Sequence, residues 1–296
     1  SYSAVCQPHQ AAKQKAEAFL REEKLLETFP IDLFAIAASR NITVQAKPDT
    51  EPGVSGMLLR HGNNFGILYA THIDNIGFQR FSIGHELAHY FLDGHMDHVI
   101  KDGLHTSQAG FVSADPYERE ADSFAAGLLL PASPLKKLIR LHDPGMALID
   151  KAVDDFKMSM TATSIRYSEL TGDAVAVIMS TDQVIDYCFL SEAMKTLPQL
   201  NWLRKGSAVP SKTATSIFSS DPENVRRGER IEAEIDVRDW LGGTKKAMVS
   251  EEVVGLGTYG KTLTVLSSKY IGNDIDDSDE DEEEQLIESW TPRFHR

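Results

Sequence analysis

The chain has few cysteines and no long apolar stretch. Its 296 residues include only two isolated cysteines, Cys6 and Cys188, which form neither a disulfide framework nor a zinc-knuckle spacing. No apolar run approaches the roughly 18 residues that a membrane-spanning helix requires. The N-terminus lacks a basic region followed by an apolar core, so no secretory signal is expected. We therefore predict a protein of the reducing cytoplasm with no membrane partner.

Positive charge is also scarce. The chain has 44 acidic and 30 basic residues, and its formal net charge is −14. Residues 274–284 hold nine acidic and no basic residues, and without these nine the net charge would be −5. We predict that residues 273–296 form an acidic, disordered tail. The functional alternative is that this tail mimics DNA or repels competing nucleic acid.

Hydrophobic periodicity separates a helix-rich part from a strand-rich part. Helices are expected at 9–28, 31–39, 77–92, 116–130 and within 134–170; strands are expected at 42–44, 175–179, 184–189, 249–254 and 263–265. The apolar runs 57–59 and 65–70 flank His61-Gly62-Asn63-Asn64 and indicate a β-hairpin. Residues 95–115 show neither periodicity and are predicted to form a polar loop.

The most informative pattern is a His-Glu-x-x-His motif, His85-Glu86-Leu87-Ala88-His89, inside a predicted helix. Histidines four residues apart lie on the same helical face, so both imidazoles can bind one metal ion. Glu86 can then deprotonate a water bound to that metal. The rest of the helix is apolar, and two buried imidazoles with a carboxylate would be costly there without a metal. We predict one Zn2+ per chain, with Mn2+ and Fe2+ as alternatives.

The third metal ligand has three candidates. A catalytic zinc normally takes three protein ligands and leaves a fourth position for water. Glu118 is favoured because small alanines share its helical face and allow another helix to approach. Glu120 and His95 are the alternatives; His95 has the metzincin spacing, but Leu92 stands where that class has a glycine. Asp122 is one turn after Glu118 and is placed to orient a ligand imidazole.

Two motifs together resemble the ImmA/IrrE family of zinc metallopeptidases. They are Arg80-Phe81-x-x-x-His85-Glu86-Leu87-Ala88-His89 and Glu118-x-x-Ala121-Asp122-x-Phe124-Ala125-Ala126-x-Leu128-Leu129-x-Pro131. The likeness covers about residues 10–170. Leu130 replaces the methionine of the family pattern, which should be harmless for packing. The resemblance implies that His85, His89 and Glu118 are metal ligands and that Glu86 is the general base.

The expected architecture is α+β. Residues 1–131 would form a zincin-like metallopeptidase core, in which a small sheet accompanies the motif helix and the Glu118 helix. A helical, helix-turn-helix-like segment would follow at 132–172. Residues 173–272 would form a mixed α/β domain, for which a sensory role is one option.

For the activity, the resemblance implies limited proteolysis of a helix-turn-helix transcriptional repressor, which releases genes for stress response or mobile-element transfer. Glu86 would take a proton from the metal-activated water and deliver it to the leaving amine. Tyr90, Tyr117 and His105 are open candidates for the donor that stabilises the oxyanion. The substrate would lie extended beside the hairpin of residues 57–70.

Two alternatives belong to other functional classes. One is a DNA-binding regulator with a structural metal site, and the other is a module that sequesters a repressor without cutting it. Direct DNA binding is not expected, because the recognition-like helix 161–170 carries only one basic residue, Arg166.

Two short patterns lie in the C-terminal region. Trp202-Leu203-Arg204-Lys205-Gly206 is a basic-aromatic cluster, interpreted as a solvated turn or a partner contact. Gly255, Gly257 and Gly260 have the spacing of a dinucleotide fingerprint, but the strand expected after them indicates a hairpin turn instead.

Overall fold

The computed structural model describes residues 8–108 and 113–272. In these residues the fold combines helices with two separate β-sheets, so the predicted mixture of helix and strand is confirmed. The chain divides into two compact units, with the boundary between Leu170 and Thr171. The predicted tail, residues 273–296, lies outside the described part of the chain.

The first unit contains a four-stranded sheet and eight helices within its described ranges. In chain order the elements are α1 (Pro8–Glu22), α2 (Leu33–Ser39), β1 (Ile42–Lys47), β2 (Val54–His61), β3 (Asn64–Ala70), α3 (Ile76–Phe91), α4 (His95–Val99), β4 (Leu104–Gln108), α5 (Pro116–Leu129), α6 (Ala132–Leu141), α7 (Met146–Phe156) and α8 (Met160–Leu170). The strand order is β1-β3-β2-β4; β1 and β3 are parallel and the other pairs are antiparallel. The predicted hairpin is therefore confirmed as β2-β3.

Polar caps define where the two motif helices begin. The Asn75 side chain accepts a 2.9 Å hydrogen bond from the Phe78 backbone N–H at the start of α3. Asp115 accepts one of 2.9 Å from Tyr117 N–H at the start of α5. Pro116 occupies the first turn of α5, where its missing N–H leaves no bond unmade. Each side-chain cap contributes about 1 kcal/mol to helix stability.

Close packing of α3 against α5 depends on a small residue. A Cβ added at Gly84 would lie 3.2 Å from Leu129 Cδ1 and 3.4 Å from Ala125 Cβ. Glycine and alanine at these contacts let the helix backbones approach each other, so that long side chains do not hold them apart. The approach sets the distance between the His-Glu-x-x-His helix and the helix that carries Glu118.

The polar loop predicted at residues 95–115 is wrong for much of its length. Its described residues include α4 and β4, and β4 pairs with β2 in the register Leu58 to His105 and Gly56 to Ser107. The strand was missed because its polarity is inverted: Leu104 is exposed whereas Ser107 is buried. A pattern that looks for apolar residues on the buried face cannot recognise such a strand.

The second unit is built on a five-stranded antiparallel sheet. Its elements are β5 (Ala174–Thr181), β6 (Val184–Leu190), α9 (Ala214–Ser219), α10 (Pro222–Arg226), β7 (Arg230–Asp236), α11 (Val237–Leu241), β8 (Met248–Gly255) and β9 (Lys261–Ser268), with the strand order β6-β5-β9-β8-β7. Gly255 ends β8, and Gly257 and Gly260 lie in the turn between β8 and β9, so the predicted hairpin turn is confirmed. None of the described helices has the length and apolarity to span a membrane.

Candidate metal centre

Four donor side chains from three elements converge in the first unit. Helix α3 supplies His85 and His89, helix α5 supplies Glu118, and strand β4 supplies His105. One ligand atom from each residue lies within 4.8 Å of those from the other three. The two α3 histidines meet because residues four apart share one face of a helix.

The separations within this cluster fit one bound metal ion. The Nε2 atoms of His85 and His89 are 3.1 Å apart. Glu118 Oε2 is 2.9 Å from the His85 nitrogen and 3.5 Å from the His89 nitrogen. His105 Nε2 lies 3.2 Å from Glu118 Oε1. Ligand atoms about 2.0–2.1 Å from a tetrahedral zinc would be about 3.3 Å from one another, so imidazole and carboxylate donors are spaced as zinc requires.

Side chains outside the cluster contact the Nδ1 atoms of the two α3 histidines and so orient their rings. The Nδ1–H of His85 donates to Asp122 Oδ1 over 2.7 Å, which directs its Nε2 into the cluster. His89 Nδ1 lies 3.0 Å from His95 Nδ1, and His95 Nε2 is 3.4 Å from Glu120 Oε2. The structure therefore places His95 and Glu120, the alternative third ligands, on the far side of the His89 ring and Glu118 in the cluster.

Glu86 is fully buried beside this cluster. Its Oε1 accepts a 2.5 Å hydrogen bond from the Ser107 hydroxyl on β4. A Cβ added at Gly56 on β2 would lie 3.0 Å from the same oxygen, so the missing side chain makes room for the carboxylate. The second oxygen, Oε2, is buried and has no hydrogen-bond partner among the described residues. One carboxylate oxygen is thus fixed by the protein, and the other is left for a group that the protein does not supply.

Burial and close hydrogen bonds shift the pKa values of these groups in opposite directions. Burial raises the pKa of Glu86 to about 7, although nearby His85 opposes the shift. Burial lowers the pKa of His89 to about 4. Burial also disfavours charge on His85, but hydrogen bonds to Asp122 and Glu118 outweigh it and raise the pKa to about 10. A carboxylate whose pKa lies near neutrality is suited to accept and return a proton.

Sequence reasoning did not identify Ser107 and named His105 only as one of three candidate oxyanion donors. The rings of the other two pack on neighbouring rings: Tyr90 contacts Phe65, and Tyr117 stacks on His98 with centroids 3.9 Å apart. His105 and Ser107 are two residues apart on β4, so they lie on the same face of the strand. Recognising β4 as a strand would have revealed both.

The comparisons with known proteins agree with the sequence motifs. Residues 37–168 match the family model of peptidase M78, the IrrE N-terminal-like domain. A solved structure of a Mycobacterium tuberculosis transcriptional regulator is similar at 16% identity, with a TM-score of 0.52 over 88% of this chain and 76% of that chain. At this identity the likeness shows a shared fold only. No curated protein matches significantly. The family match spans every residue of the metal cluster, so the predicted resemblance of residues 37–168 to the ImmA/IrrE family is confirmed.

Proposed function

We propose that this protein is a metal-dependent endopeptidase that makes one limited, regulatory cut in a partner protein, a helix-turn-helix transcriptional repressor. The observation that carries the peptidase assignment is the buried cluster of three imidazoles and one carboxylate, with Glu86 Oε2 unpartnered beside it. The family match supports a regulatory peptidase domain. The choice of a repressor as substrate rests on the family resemblance, and the similar solved structure, a transcriptional regulator, agrees with a role in transcription.

We assign the metal to His85, His89 and Glu118. Three protein ligands leave a coordination position free for catalysis, whereas a fourth protein ligand would close the site. A zinc ion held there would supply a water of lowered pKa and would polarise the substrate carbonyl. The donor set does not by itself select zinc, and Mn2+ or Fe2+ would also suit it.

Two side chains then act on the reacting groups: Glu86 transfers the proton, and His105 stabilises the developing negative charge. Ser107 fixes Glu86 Oε1, so Oε2 accepts the proton of the attacking water and later gives it to the leaving amine nitrogen. His105 Nε2 lies in the cluster and donates a hydrogen bond to the carbonyl oxygen as it becomes negative. We assign His105 this role because one of its ring nitrogens lies within 4.8 Å of the three assigned ligand atoms.

We expect His105→Asn to lower the cleavage rate about 100-fold while the protein keeps its metal, because removal of one oxyanion donor costs this much in other hydrolases. Cleavage kinetics and metal content, measured by atomic emission, check this together. Loss of the metal would show instead that His105 is a ligand. His98→Asn is the matched control, since its ring stacks on Tyr117 outside the cluster.

Ser107→Ala should lower kcat about tenfold and leave KM and metal content almost unchanged. Loss of one hydrogen bond to a charged group is worth about 1.4 kcal/mol or more, and here it frees the Glu86 carboxylate to rotate. Ser107→Thr should recover part of the rate, because it keeps the hydroxyl. An unchanged kcat in the alanine variant would mean that Ser107 does not position the base.

The substrate position expected from the sequence needs correction. Neither edge of the β2-β3 hairpin is free, because β2 pairs with β4 and β3 pairs with β1. Strand β4 is the sheet edge that carries His105, and in the described residues no other strand of the sheet pairs with its outer side. We propose that an extended substrate pairs with this edge, which reads its backbone more than its side chains.

DNA binding by helix α8 has little support. Arg166, the one basic residue of this helix, is 4% exposed. Its guanidinium donates to the Leu130 carbonyl and to the Glu169 carboxylate. It is therefore occupied within the protein and is not available to a phosphate backbone.

A direct test of the proposed function is to add metal-loaded wild type or Glu86→Gln to a host-cell extract and map the new protein N-termini. We expect one or a few new termini, within a helix-turn-helix protein, in the wild-type sample alone. The mapped terminus would identify the substrate and the cleaved bond together. Many scattered termini would contradict limited proteolysis, and a partner bound but left intact by wild type would favour sequestration.

A further inference from the structure

Two buried histidine rings meet in the first unit, on the side of His89 that faces away from the metal cluster. The Nδ1 atoms of His89 and His95 lie 3.0 Å apart, which is a hydrogen-bond distance. His89 has no exposed surface and His95 is 1% exposed, so neither nitrogen can turn to water instead. One of the two nitrogens must therefore carry a hydrogen, and the other must accept it.

The assigned metal decides which of the two rings donates. A ring nitrogen that binds a metal carries no hydrogen, so a neutral His89 with its Nε2 in the cluster holds its hydrogen on Nδ1. His95 must then accept through Nδ1, and its own hydrogen lies on Nε2. That Nε2 is 3.4 Å from Glu120 Oε2, which can accept it. The hydrogen positions on both rings thus follow from one ligand assignment.

The two α3 histidines reach a carboxylate by different routes. His85 Nδ1 donates directly to Asp122, whose side chain is half exposed. His89 lies deeper, and a carboxylate in direct contact with its Nδ1 would add a buried negative charge close to Glu86. The neutral His95 ring supplies the acceptor instead. The negative charge stays on Glu120, whose side chain is 32% exposed.

The fold holds the His95 ring in place independently of His89. Helix α4 begins at His95, directly after the left-handed turn at Gly94. The ring of Tyr117, from the first turn of α5, packs edge-on against the His95 ring with centroids 4.9 Å apart. A ring that is already fixed by its neighbours loses little freedom when it accepts a hydrogen bond, so it can orient His89 effectively.

We propose that His95 is a positioning residue of the metal site. Its Nδ1 accepts the Nδ1–H of His89 and so keeps the Nε2 lone pair of His89 directed at the metal; Glu120 completes the chain by accepting from His95 Nε2. This role rests on the proposed assignment of His89 as a ligand. Loss of such a partner typically weakens metal binding about tenfold to 100-fold.

The affinity of the full chain for Zn2+, measured by competition with a fluorescent chelator, tests this role without an activity assay. His95→Phe keeps a ring against Tyr117 but removes the acceptor, and should raise the Kd about 30-fold. His95→Asn should stay within about threefold of wild type, because its amide oxygen can take the place of Nδ1. Glu120→Ala should raise the Kd only about threefold, because its contact with His95 is long and partly exposed.

The matched control is His98→Phe, which removes another imidazole of α4 whose ring stacks on Tyr117. It should bind zinc as wild type does. His89→Ala separates the ligand assignment from the role of His95. If His89→Ala binds zinc as tightly as wild type, the ligand assignment is wrong. If it loses zinc but His95→Phe binds as tightly as wild type, only the role of His95 is wrong.

Nuclear magnetic resonance of the zinc-loaded chain with 15N-labelled histidine reports the hydrogen positions directly. We expect the ring hydrogen of His95 on Nε2 and that of His89 on Nδ1, with a scalar coupling between the two Nδ1 nuclei across the hydrogen bond. A hydrogen on His95 Nδ1 would overturn the proposal even if zinc affinity falls in His95→Phe, since packing alone would then explain the loss. This measurement uses the wild-type chain, so it decides the question if His95→Phe does not fold.

Discussion

Glu86→Gln is expected to lower the rate of peptide-bond cleavage by about 1,000-fold and to leave the metal content unchanged. Glutamine has the shape of glutamate but cannot accept a proton at neutral pH. Ser107 can still donate to the amide oxygen, so the side chain should stay in place. The assigned ligands His85, His89 and Glu118 are untouched.

Two measurements separate a role of Glu86 as the catalytic base from a role in building the metal site. Cleavage of the substrate found by N-terminal mapping reports the chemistry, and atomic emission reports the bound metal. Glu22→Gln makes the same chemical change at an exposed position of α1 and should behave as wild type. If the Glu86 variant cleaves at the wild-type rate, another group is the base and the mechanism is wrong. Joint loss of activity and metal would point to a role in building the site.

The parts of the site that were predicted depend on contacts that are local in sequence. His85 and His89 share a helical face because of their spacing alone, and the same reasoning placed Asp122 one turn after Glu118. The approach of the two helices was also predictable, because alanines surround Glu118. Small residues at a helix contact are visible in sequence, and Gly84 completes the set.

Strand β4 could not be predicted for a physical reason. A strand is recognised by apolar residues that alternate toward a core, but here the inward-facing positions hold His105 and Ser107. Their burial is offset by the hydrogen bond from Ser107 to Glu86 and by the approach of His105 Nε2 to Glu118 Oε1, 3.2 Å away; neither carboxylate belongs to β4. Because polar residues of the site occupy the inward-facing positions of β4, the apolar alternation by which a strand is predicted is absent there.

His95 shows that spacing along the sequence does not by itself identify a metal ligand. It follows His89 at the distance that metzincins use, yet the chain turns at Gly94, with a φ of +77°, and begins α4. This turn brings His95 to the Nδ1 side of His89, whereas the cluster uses the Nε2 side. Spacing can bring two histidines together without deciding which ring nitrogen faces the metal.

The second unit contains a buried acid, Glu251, that belongs to none of the sequence motifs. Glu251 on β8 has no exposed surface. Its carboxylate accepts hydrogen bonds from the Ala214 and Thr215 backbone N–H groups, at 3.1 and 2.9 Å, and from the Thr215 hydroxyl at 2.7 Å. The first N–H groups of a helix have no partner within the helix, so Glu251 satisfies two of them for α9.

We expect Glu251→Gln to lower the free energy of unfolding of the second unit by about 3 kcal/mol. The substitution keeps the size of the side chain but places an NH2 group against N–H donors, so at least one buried donor loses its acceptor. It also removes negative charge from the N-terminal end of α9, where the helix dipole favours it. Thr213, which accepts from Ser216 N–H, cannot replace the lost acceptor because it already caps the same turn.

Native-state hydrogen exchange of the β5 and β9 amides in the full chain measures this change, because it reports the opening of one unit without requiring a two-state transition of the whole protein. Glu234→Gln is the matched control: it makes the same substitution at an exposed position of β7 and should change stability by less than about 0.5 kcal/mol. A loss below about 1 kcal/mol for Glu251→Gln would mean that water or a rotated hydroxyl replaces the carboxylate. A loss near 3 kcal/mol would show that this buried acid fixes α9 to the sheet of the second unit.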